Sequence, residues 1–330
     1  MEGRVSAELR IGLIGCGRAA QRLHAPALAR IAEARWVATA DPVADRAELI
    51  ARAVPECRTF ASDEALLDAG GVDAVIVANP PREHLATAMR ALRRGVSVLL
   101  EKPLCVDAAG LDEAIDVAAA SSGFLMMGFN RRHWEPVLRL RRALADRRTD
   151  EGSGELCLVT DPELWGALDG PTDALENLLP HQLDLARFLF GREIESVSAL
   201  WRGDAAIMGR LSLTGGTRVG FWAGDAESYD EWMNVQMNGR RFRVWSGSRR
   251  ASPAAGPIRF GLDVGDALAH RLLRRRSPLS RSYEAQLRAF VTSVLGGRQP
   301  SPGLEDGIAV VRAMEAVRRS AAAGGAETSI

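Results

Sequence analysis

The sequence predicts an α/β protein in which a doubly wound parallel sheet is followed by an α+β domain with an open, mostly antiparallel sheet. Up to about residue 122, short apolar runs alternate with helical patterns, which is typical of a parallel sheet covered by helices. Beyond residue 150, strand patterns follow one another directly, which is typical of antiparallel pairing. We therefore expect one domain over residues 1–122 and a second over residues 123–330.

Up to residue 128, the apolar runs and the helical patterns alternate in a regular order. The predicted strands are residues 9–14, 36–40, 72–78, 96–100 and 124–128. The predicted helices are residues 19–32, 44–53, 82–94 and 108–120. In the third of these helices, apolar residues at 85, 88, 89 and 92 have the spacing of one helical face.

The second domain begins after a turn or linker at residues 150–154. A helix is predicted over residues 180–190, and strands over 197–202, 208–213, 218–222, 233–237 and 242–244. Residues 246–279 are rich in Gly, Pro, Ser and Arg and predict loops. Two helices, 283–295 and 305–322, follow.

The composition narrows the class of protein. Basic and acidic residues number 42 each in a chain of 330, so the formal net charge is zero, which argues against a nucleic-acid or membrane-surface role. The four cysteines form no CxxC pair, so we expect neither a metal site nor a disulfide framework. No apolar run approaches the length of a membrane span, and we expect a soluble cytoplasmic protein.

A glycine-rich loop follows the first predicted strand and begins the first predicted helix. Gly15-x-Gly17-x-x-Ala20 in this position is typical of dinucleotide binding in a Rossmann domain. Gly15 permits the tight turn, Gly17 lets the backbone approach a pyrophosphate, and Ala20 lets the helix pack closely on the sheet. The N-terminus of the helix offers free N–H groups to the phosphates. We expect cofactor contacts from Gly15, Cys16, Gly17, Arg18 and Ala19.

Asp41 follows the second predicted strand, 24 residues after Gly17. A carboxylate at this position accepts hydrogen bonds from the adenosine ribose and repels a 2′-phosphate. The sequence therefore favours NAD over NADP.

Several further landmarks match the pattern of one family. They are Ala78-Asn79-Pro80-Pro81, Arg82-Glu83-His84, Gly95, Glu101-Lys102-Pro103, Met127-Gly128-Phe129-Asn130-Arg131-Arg132, His181-x-x-Asp184 and Glu305-Asp306-Gly307. Together with the glycine loop, they resemble the glucose–fructose oxidoreductase/inositol 2-dehydrogenase family of NAD(P)-dependent enzymes over nearly the whole chain.

This resemblance implies roles for individual residues on the substrate side and on the cofactor side of the site. Lys102 would polarise the reacting oxygen of the substrate, Glu101 would lie beside the cofactor, and the Lys102–Pro103 bond is often cis in the family. It also adds Asn79, Pro80 and His84 to the expected cofactor contacts. Removal of a hydride from a carbinol also requires a base for the hydroxyl proton, and His181 is the candidate.

The chain departs from the family where an Asp commonly assists this histidine, because Asn177 stands there. Asn can bind a hydroxyl but cannot take a proton. We expect substrate contacts from Asn177, and also from Asn130, Arg131 and Trp165. The arginine-rich residues 271–276 are better explained as a solvated surface than as an anion site.

The expected function is an NAD-dependent oxidoreductase that acts on a secondary hydroxyl or ketone of a sugar, inositol or sugar derivative. A redox-neutral, NAD-using glycosidase and a non-catalytic dinucleotide-binding sensor or structural protein are the alternatives. The resemblance further implies a homodimer or homotetramer assembled through the sheet of the second domain.

Overall fold

The computed structural model describes residues 8–145, 152–162, 174–227, 229–237, 239–247 and 278–330. The chain forms two compact units. The first comprises Met1–Asn130 and Leu279–Ala309, and the second comprises Arg131–Pro278 and Val310–Ile330. Trp165 and residues 271–276 lie outside the described residues.

The first unit contains a six-stranded parallel sheet in the order β3-β2-β1-β4-β5-β6. Its strands are β1 (Leu9–Ile14), β2 (Ala34–Ala40), β3 (Arg58–Phe60), β4 (Ala74–Val77), β5 (Ser97–Leu100) and β6 (Leu125–Met127). The strand order reverses at β1, which pairs with both β2 and β4. In doubly wound sheets, the ligand crevice lies at the carboxyl ends of the strands beside this reversal.

The helices of the first unit connect these strands. A π-helical turn (Ala20–His24) leads into α1 (Ala25–Leu28), and the others are α2 (Ala44–Ala51), α3 (Asp63–Asp68), α4 (Pro81–Arg93), α5 (Leu111–Ala120), α9 (Pro278–Leu295) and the beginning of α10 (Leu304–Ala322). The predicted parallel sheet is confirmed. The short pair β3 and α3 was not predicted, because the three residues of β3 contain no apolar run.

The second unit contains a seven-stranded sheet in the order β12-β11-β7-β10-β9-β8-β13. The strands are β7 (Gly152–Thr160), β8 (Ile194–Arg202), β9 (Ala206–Leu213), β10 (Thr217–Asp225), β11 (Asp230–Met237), β12 (Arg240–Gly247) and β13 (Thr328–Ser329). Among the strands that the structure describes in this sheet, only the β7–β10 pair is parallel, so the predicted mostly antiparallel sheet is confirmed. The helices are α6 (Glu135–Ala145), α7 (Ala174–Asn177), α8 (Leu179–Phe190) and the remainder of α10.

The prediction of a turn or linker at residues 150–154 is wrong from Gly152 onward, because β7 begins there and pairs on both sides. Its glycines resemble turn residues in sequence but have a packing role. A Cβ added to Gly152 would lie 2.9 Å from the ring of Phe190, and one added to Gly154 would lie 3.3 Å from it. The glycines therefore allow α8 to approach the sheet closely.

No helix in the described ranges is long and apolar enough to cross a membrane.

Candidate active site

The glycine loop turns sharply between β1 and the π-helical turn. Gly15 has φ +83°, and a Cβ added there would lie 2.4 Å from the backbone N of Asn79, at the end of β4. A side chain at Gly15 would therefore collide with the neighbouring strand end. This close approach holds the ends of β1 and β4 together at the point where the sheet order reverses.

The environments of Gly17 and Ala20 differ from that of Gly15. A Cβ added to Gly17 would meet no atom of the described residues within 4 Å, whereas Ala20 is fully buried. The protein itself therefore does not require glycine at Gly17, and the open space is available to a ligand. Gln21 stabilises the loop, since its Nε2 donates to the backbone O of Cys16 over 2.8 Å. Arg18, which follows Gly17 directly, is half-buried.

Asp41 is buried beside this loop, directly after β2. Its Oδ2 accepts from the backbone N–H of Cys16 over 2.7 Å, and its Oδ1 accepts from that of Val43 over 2.9 Å. Burial and the charge of Asp41 raise the pKa of the Cys16 thiol to about 12, so Cys16 is a neutral packing residue. A carboxylate oxygen has two acceptor sites, so Asp41 retains capacity for a ligand hydroxyl.

Asn79 lies after β4, and its Nδ2 donates to Glu83 over 3.2 Å and to Thr87 over 3.0 Å. Its Oδ1 is buried and accepts no hydrogen bond from the described residues. Buried polar atoms are nearly always hydrogen-bonded, so this oxygen is suited to a ligand donor. Pro80 follows Asn79 and directly precedes α4, which begins at Pro81.

His84 connects two loops at this edge of the sheet. Its Nδ1 lies 2.6 Å from the backbone O of Pro103, and its Nε2 lies 2.8 Å from the backbone O of Asn79. Burial lowers the pKa of His84, while the two carbonyls oppose that effect. Both ring nitrogens therefore contact the backbone, and a direct cofactor contact by His84 stays a prediction.

Glu101 and Lys102 follow β5, and the Lys102–Pro103 bond is cis, as the family resemblance implied. Glu101 is buried, its Oε1 lies 2.8 Å from Nε2 of His24, and its Oε2 accepts from the backbone N–H of Lys102 over 3.2 Å. Burial raises the pKa of Glu101, but the hydrogen bond and charge of His24 and the charge of Lys102 outweigh it, so the pKa is lowered. Glu101 is therefore an ionised anchor for the loop that carries Lys102.

His181 lies in the first turn of α8 in the second unit and is buried. Its Nε2 lies 3.1 Å from Nη1 of Arg131. The same guanidinium pairs with Glu231, with Nε to Oε1 at 3.1 Å and Nη2 to Oε2 at 3.4 Å. Tyr229 donates its hydroxyl to Oε2 of Glu231. His181 therefore belongs to a buried polar cluster.

Asp184, one helical turn beyond His181, pairs with a different arginine. Arg132 Nε lies 3.0 Å from both carboxylate oxygens of Asp184, and Arg132 Nη2 lies 2.6 Å from Oδ1. Asn130, which belongs to the first unit, donates from Nδ2 to Oγ of Ser282 over 2.9 Å.

Asn177 ends α7 and is half-buried. Oε1 of its neighbour Glu176 lies 3.6 Å from Nη2 of Arg318. Substrate contacts by Asn177, Asn130 and Arg131 stay predictions. Among the described residues, His, Cys, Asp and Glu form no group that could hold a metal ion.

The comparisons with known proteins agree with this geometry. Residues 9–129 match a family described as an oxidoreductase family with an NAD-binding Rossmann fold. Residues 9–129 therefore belong to this oxidoreductase family. It is 29% identical to an inositol 2-dehydrogenase of Rhizobium meliloti, over 95% of this chain and 97% of that protein. It is 31% identical to an inositol 2-dehydrogenase of Saccharopolyspora erythraea, over 58% of this chain and 56% of that protein.

The fold also matches solved structures over nearly the whole chain. One is the myo-inositol dehydrogenase of Lactobacillus casei in complex with NAD(H) and myo-inositol, with a TM-score of 0.78 and 18% identity. The match covers 98% of this chain and 97% of that one.

Sequence reasoning missed two residues of the site. His24 lies seven residues after Gly17, or two helical turns, which is the spacing of one helical face. That spacing could have indicated a partner for Glu101. Glu231 had no comparable signal, because its contact with Arg131 joins residues that are 100 positions apart.

Proposed function

We propose that this oxidoreductase is an NAD-dependent dehydrogenase that oxidises a secondary hydroxyl of an inositol or a related sugar, or reduces the corresponding ketone. The observation that carries the proposal is the position of Lys102. It lies two residues beyond β5, which pairs with β4, while Asn79, two residues beyond β4, lies against the Gly15 turn. Lys102 therefore lies at the same edge of the sheet as the dinucleotide loop. The similarity to inositol 2-dehydrogenases over nearly the full chain supports this substrate class.

The residues of the first unit fit the cofactor. The Gly15 turn excludes a side chain, the space at Gly17 is open, and Asn79 has a buried oxygen in need of a donor. Asp41 favours NAD over NADP, because a second negative charge beside a buried carboxylate is repelled. When bound, the oxidised nicotinamide supplies the hydride acceptor for the reaction.

The chain's own residues handle the oxygen and the proton. Lys102 stabilises negative charge on the substrate oxygen as the C–H bond breaks. His181 accepts the hydroxyl proton, and Asn177 positions the ring through its amide, which both donates and accepts hydrogen bonds. Residues 1–122 would then hold the cofactor, and residues 123–330 would bind the substrate and assemble the oligomer.

A turnover screen tests this function. The full chain would be incubated with NAD and a panel of inositols, sugars and sugar derivatives while NADH absorbance is followed. We expect NADH formation with at least one cyclic polyol and a loss of at least about 100-fold in kcat for Lys102→Met. Glycoside cleavage without net NADH would favour the redox-neutral alternative. NAD binding without turnover of any compound would favour the non-catalytic one.

The open face of the second sheet supports the proposed homodimer or homotetramer. The pairing of the strands places one residue from each of six neighbouring strands in a single row across this face. These residues are Leu200, Met208, Trp222, Cys157, Trp232 and Trp245. Leu200 is 50% exposed, Met208 37% and Trp222 36%. Three neighbouring exposed apolar side chains in one row of a sheet face are typical of an interaction surface. Light scattering should give the mass of a dimer or tetramer for the wild type. It should give a smaller mass for Met208→Glu. A monomeric wild type would contradict the proposed assembly.

A further inference from the structure

The second unit contains a buried polar cluster that consists of Arg131, His181, Glu231 and Tyr229. Arg131, His181 and Glu231 are exposed by 8%, 5% and 4%. The guanidinium contacts both other groups at once, with Nη1 3.1 Å from Nε2 of His181 and Nε 3.1 Å from Oε1 of Glu231. The three groups therefore form one connected network in a nearly dry environment.

The chemistry of the arginine determines which imidazole nitrogen carries the proton. A guanidinium has five N–H donors and no acceptor. Nε2 of His181 must therefore accept the hydrogen bond from Arg131, and a neutral imidazole that accepts at Nε2 carries its proton on Nδ1. A proton on Nε2 would instead direct one N–H group at another.

Glu231 provides the reason why the guanidinium stays in this position. A buried cation is costly unless a counter-charge and hydrogen bonds compensate it. Glu231 contributes both, through two roughly parallel contacts of 3.1 and 3.4 Å that fix the plane of the guanidinium. Tyr229 in turn donates its hydroxyl to Oε2 of Glu231 and restrains the carboxylate.

We propose that Glu231 is a positioning residue that holds Arg131 against His181, so that the imidazole keeps its proton on Nδ1 and presents Nε2 as its basic atom. The catalytic part of this inference rests on the proposed function, in which His181 takes the hydroxyl proton. A substrate hydroxyl that binds Nε2 replaces the Arg131 N–H as donor to that nitrogen. Glu231 then keeps the displaced guanidinium beside the imidazole.

The tautomer can be tested without any turnover. Nitrogen-15 NMR of the imidazole side chains distinguishes a protonated Nδ1 from a protonated Nε2, and the chain has five histidines, so His181→Asn assigns the signal. We expect the Nδ1–H tautomer for wild-type His181 in the free protein. Glu231→Gln and Arg131→Met should each convert at least about half of the His181 population to the Nε2–H form.

A matched control comes from the neighbouring pair. Asp184→Asn breaks a buried arginine–carboxylate contact of the same type, on the same helix as His181, and should leave the His181 tautomer unchanged. Circular dichroism would verify that each variant folds, and Glu231→Asp provides a milder change if Glu231→Gln does not fold. An Nε2–H tautomer in the wild type, or an unchanged tautomer in folded Glu231→Gln or folded Arg131→Met, would overturn the proposal.

Kinetics separate this inference from the proposed function. Glu231→Gln should lower kcat by about 10- to 1000-fold while the KM for NAD changes less than about twofold, because the variant alters the base and leaves the dinucleotide loop intact. A normal kcat in a folded Glu231→Gln with a shifted tautomer would refute the catalytic consequence. A wild type with the Nδ1–H tautomer but no dehydrogenase activity would refute the proposed function and leave the positioning role standing.

Discussion

Two alanine substitutions in the glycine loop should have opposite consequences for stability and for cofactor binding. Gly15→Ala would place a Cβ 2.4 Å from the backbone N of Asn79 at φ +83°. The left-handed conformation costs about 1–2 kcal/mol for a residue with a Cβ. The displacement of neighbouring backbone adds about 1–3 kcal/mol. We expect the free energy of unfolding to fall by about 2–5 kcal/mol.

Gly17→Ala should leave the stability of the protein intact but weaken NAD binding. The added Cβ meets no atom within 4 Å in the part of the chain that the structure describes, and the backbone of Gly17 is not in the left-handed region. Loss of chain entropy in the unfolded state should leave the free energy of unfolding unchanged or raise it by up to about 1 kcal/mol. If the pyrophosphate approaches this backbone, the Cβ should weaken NAD binding at least tenfold, or about 1.4 kcal/mol.

Urea unfolding and calorimetric titration with NAD would measure both quantities. Gly220→Ala in the second unit is the matched control, because its added Cβ would have no neighbour nearer than 3.8 Å and its φ is also outside the left-handed region. It should change neither stability nor NAD affinity appreciably. Wild-type NAD affinity in Gly17→Ala would refute the assigned approach of the pyrophosphate, and wild-type stability in Gly15→Ala would refute the steric argument.

Three further predictions concern charge. Asp41→Asn should reduce the preference for NAD, measured as the ratio of the KM for NADP to the KM for NAD, at least about tenfold, because it removes the charge that repels the 2′-phosphate. An unchanged ratio would contradict the role assigned to Asp41. His24→Leu removes a hydrogen-bonded partner of buried Glu101. It should lower the free energy of unfolding at pH 7, measured by urea titration, by about 3–5 kcal/mol. A loss smaller than about 1 kcal/mol would argue against an ionised Glu101. Burial and then the charge of Arg132 lower the pKa of His133 to about 4 from 6.5. The unfolded chain therefore binds more protons than the folded one between these values, so stability should decrease by about 3 kcal/mol as pH falls from about 6.5 to about 4. His133→Gln should flatten that decrease in unfolding curves, and an equally steep curve would refute this origin.

The sequence was sufficient for the features that depend on local pattern. The strand β4 is a continuous apolar run, β1, β2 and β5 are largely apolar, and the turn chemistry of the glycine loop is determined by residues that are close in the chain. Both are readable because a buried parallel strand requires apolar side chains on both faces.

Features that depend on distant residues were not predictable in this way. Gly152 and Gly154 look like turn residues until the ring of Phe190 is seen against them. His181 contacts Arg131, fifty residues away, which is oriented in turn by Glu231. One sequence carries no pattern for such contacts, since a buried ion pair looks like any two surface charges.

The central position of β7 has a consequence for the order in which the second sheet can form. Its two neighbours, β10 and β11, lie far along the chain, with Arg218 opposite Ser153 and Gln236 on its other side. During synthesis from the N-terminus, β7 therefore emerges long before either neighbour and exposes both hydrogen-bonding edges. Sheets dominated by such nonlocal pairs form slowly, and their early intermediates are prone to aggregate. Production yield of this protein should therefore depend more on the segment from β7 to β11 than on the locally encoded dinucleotide sheet.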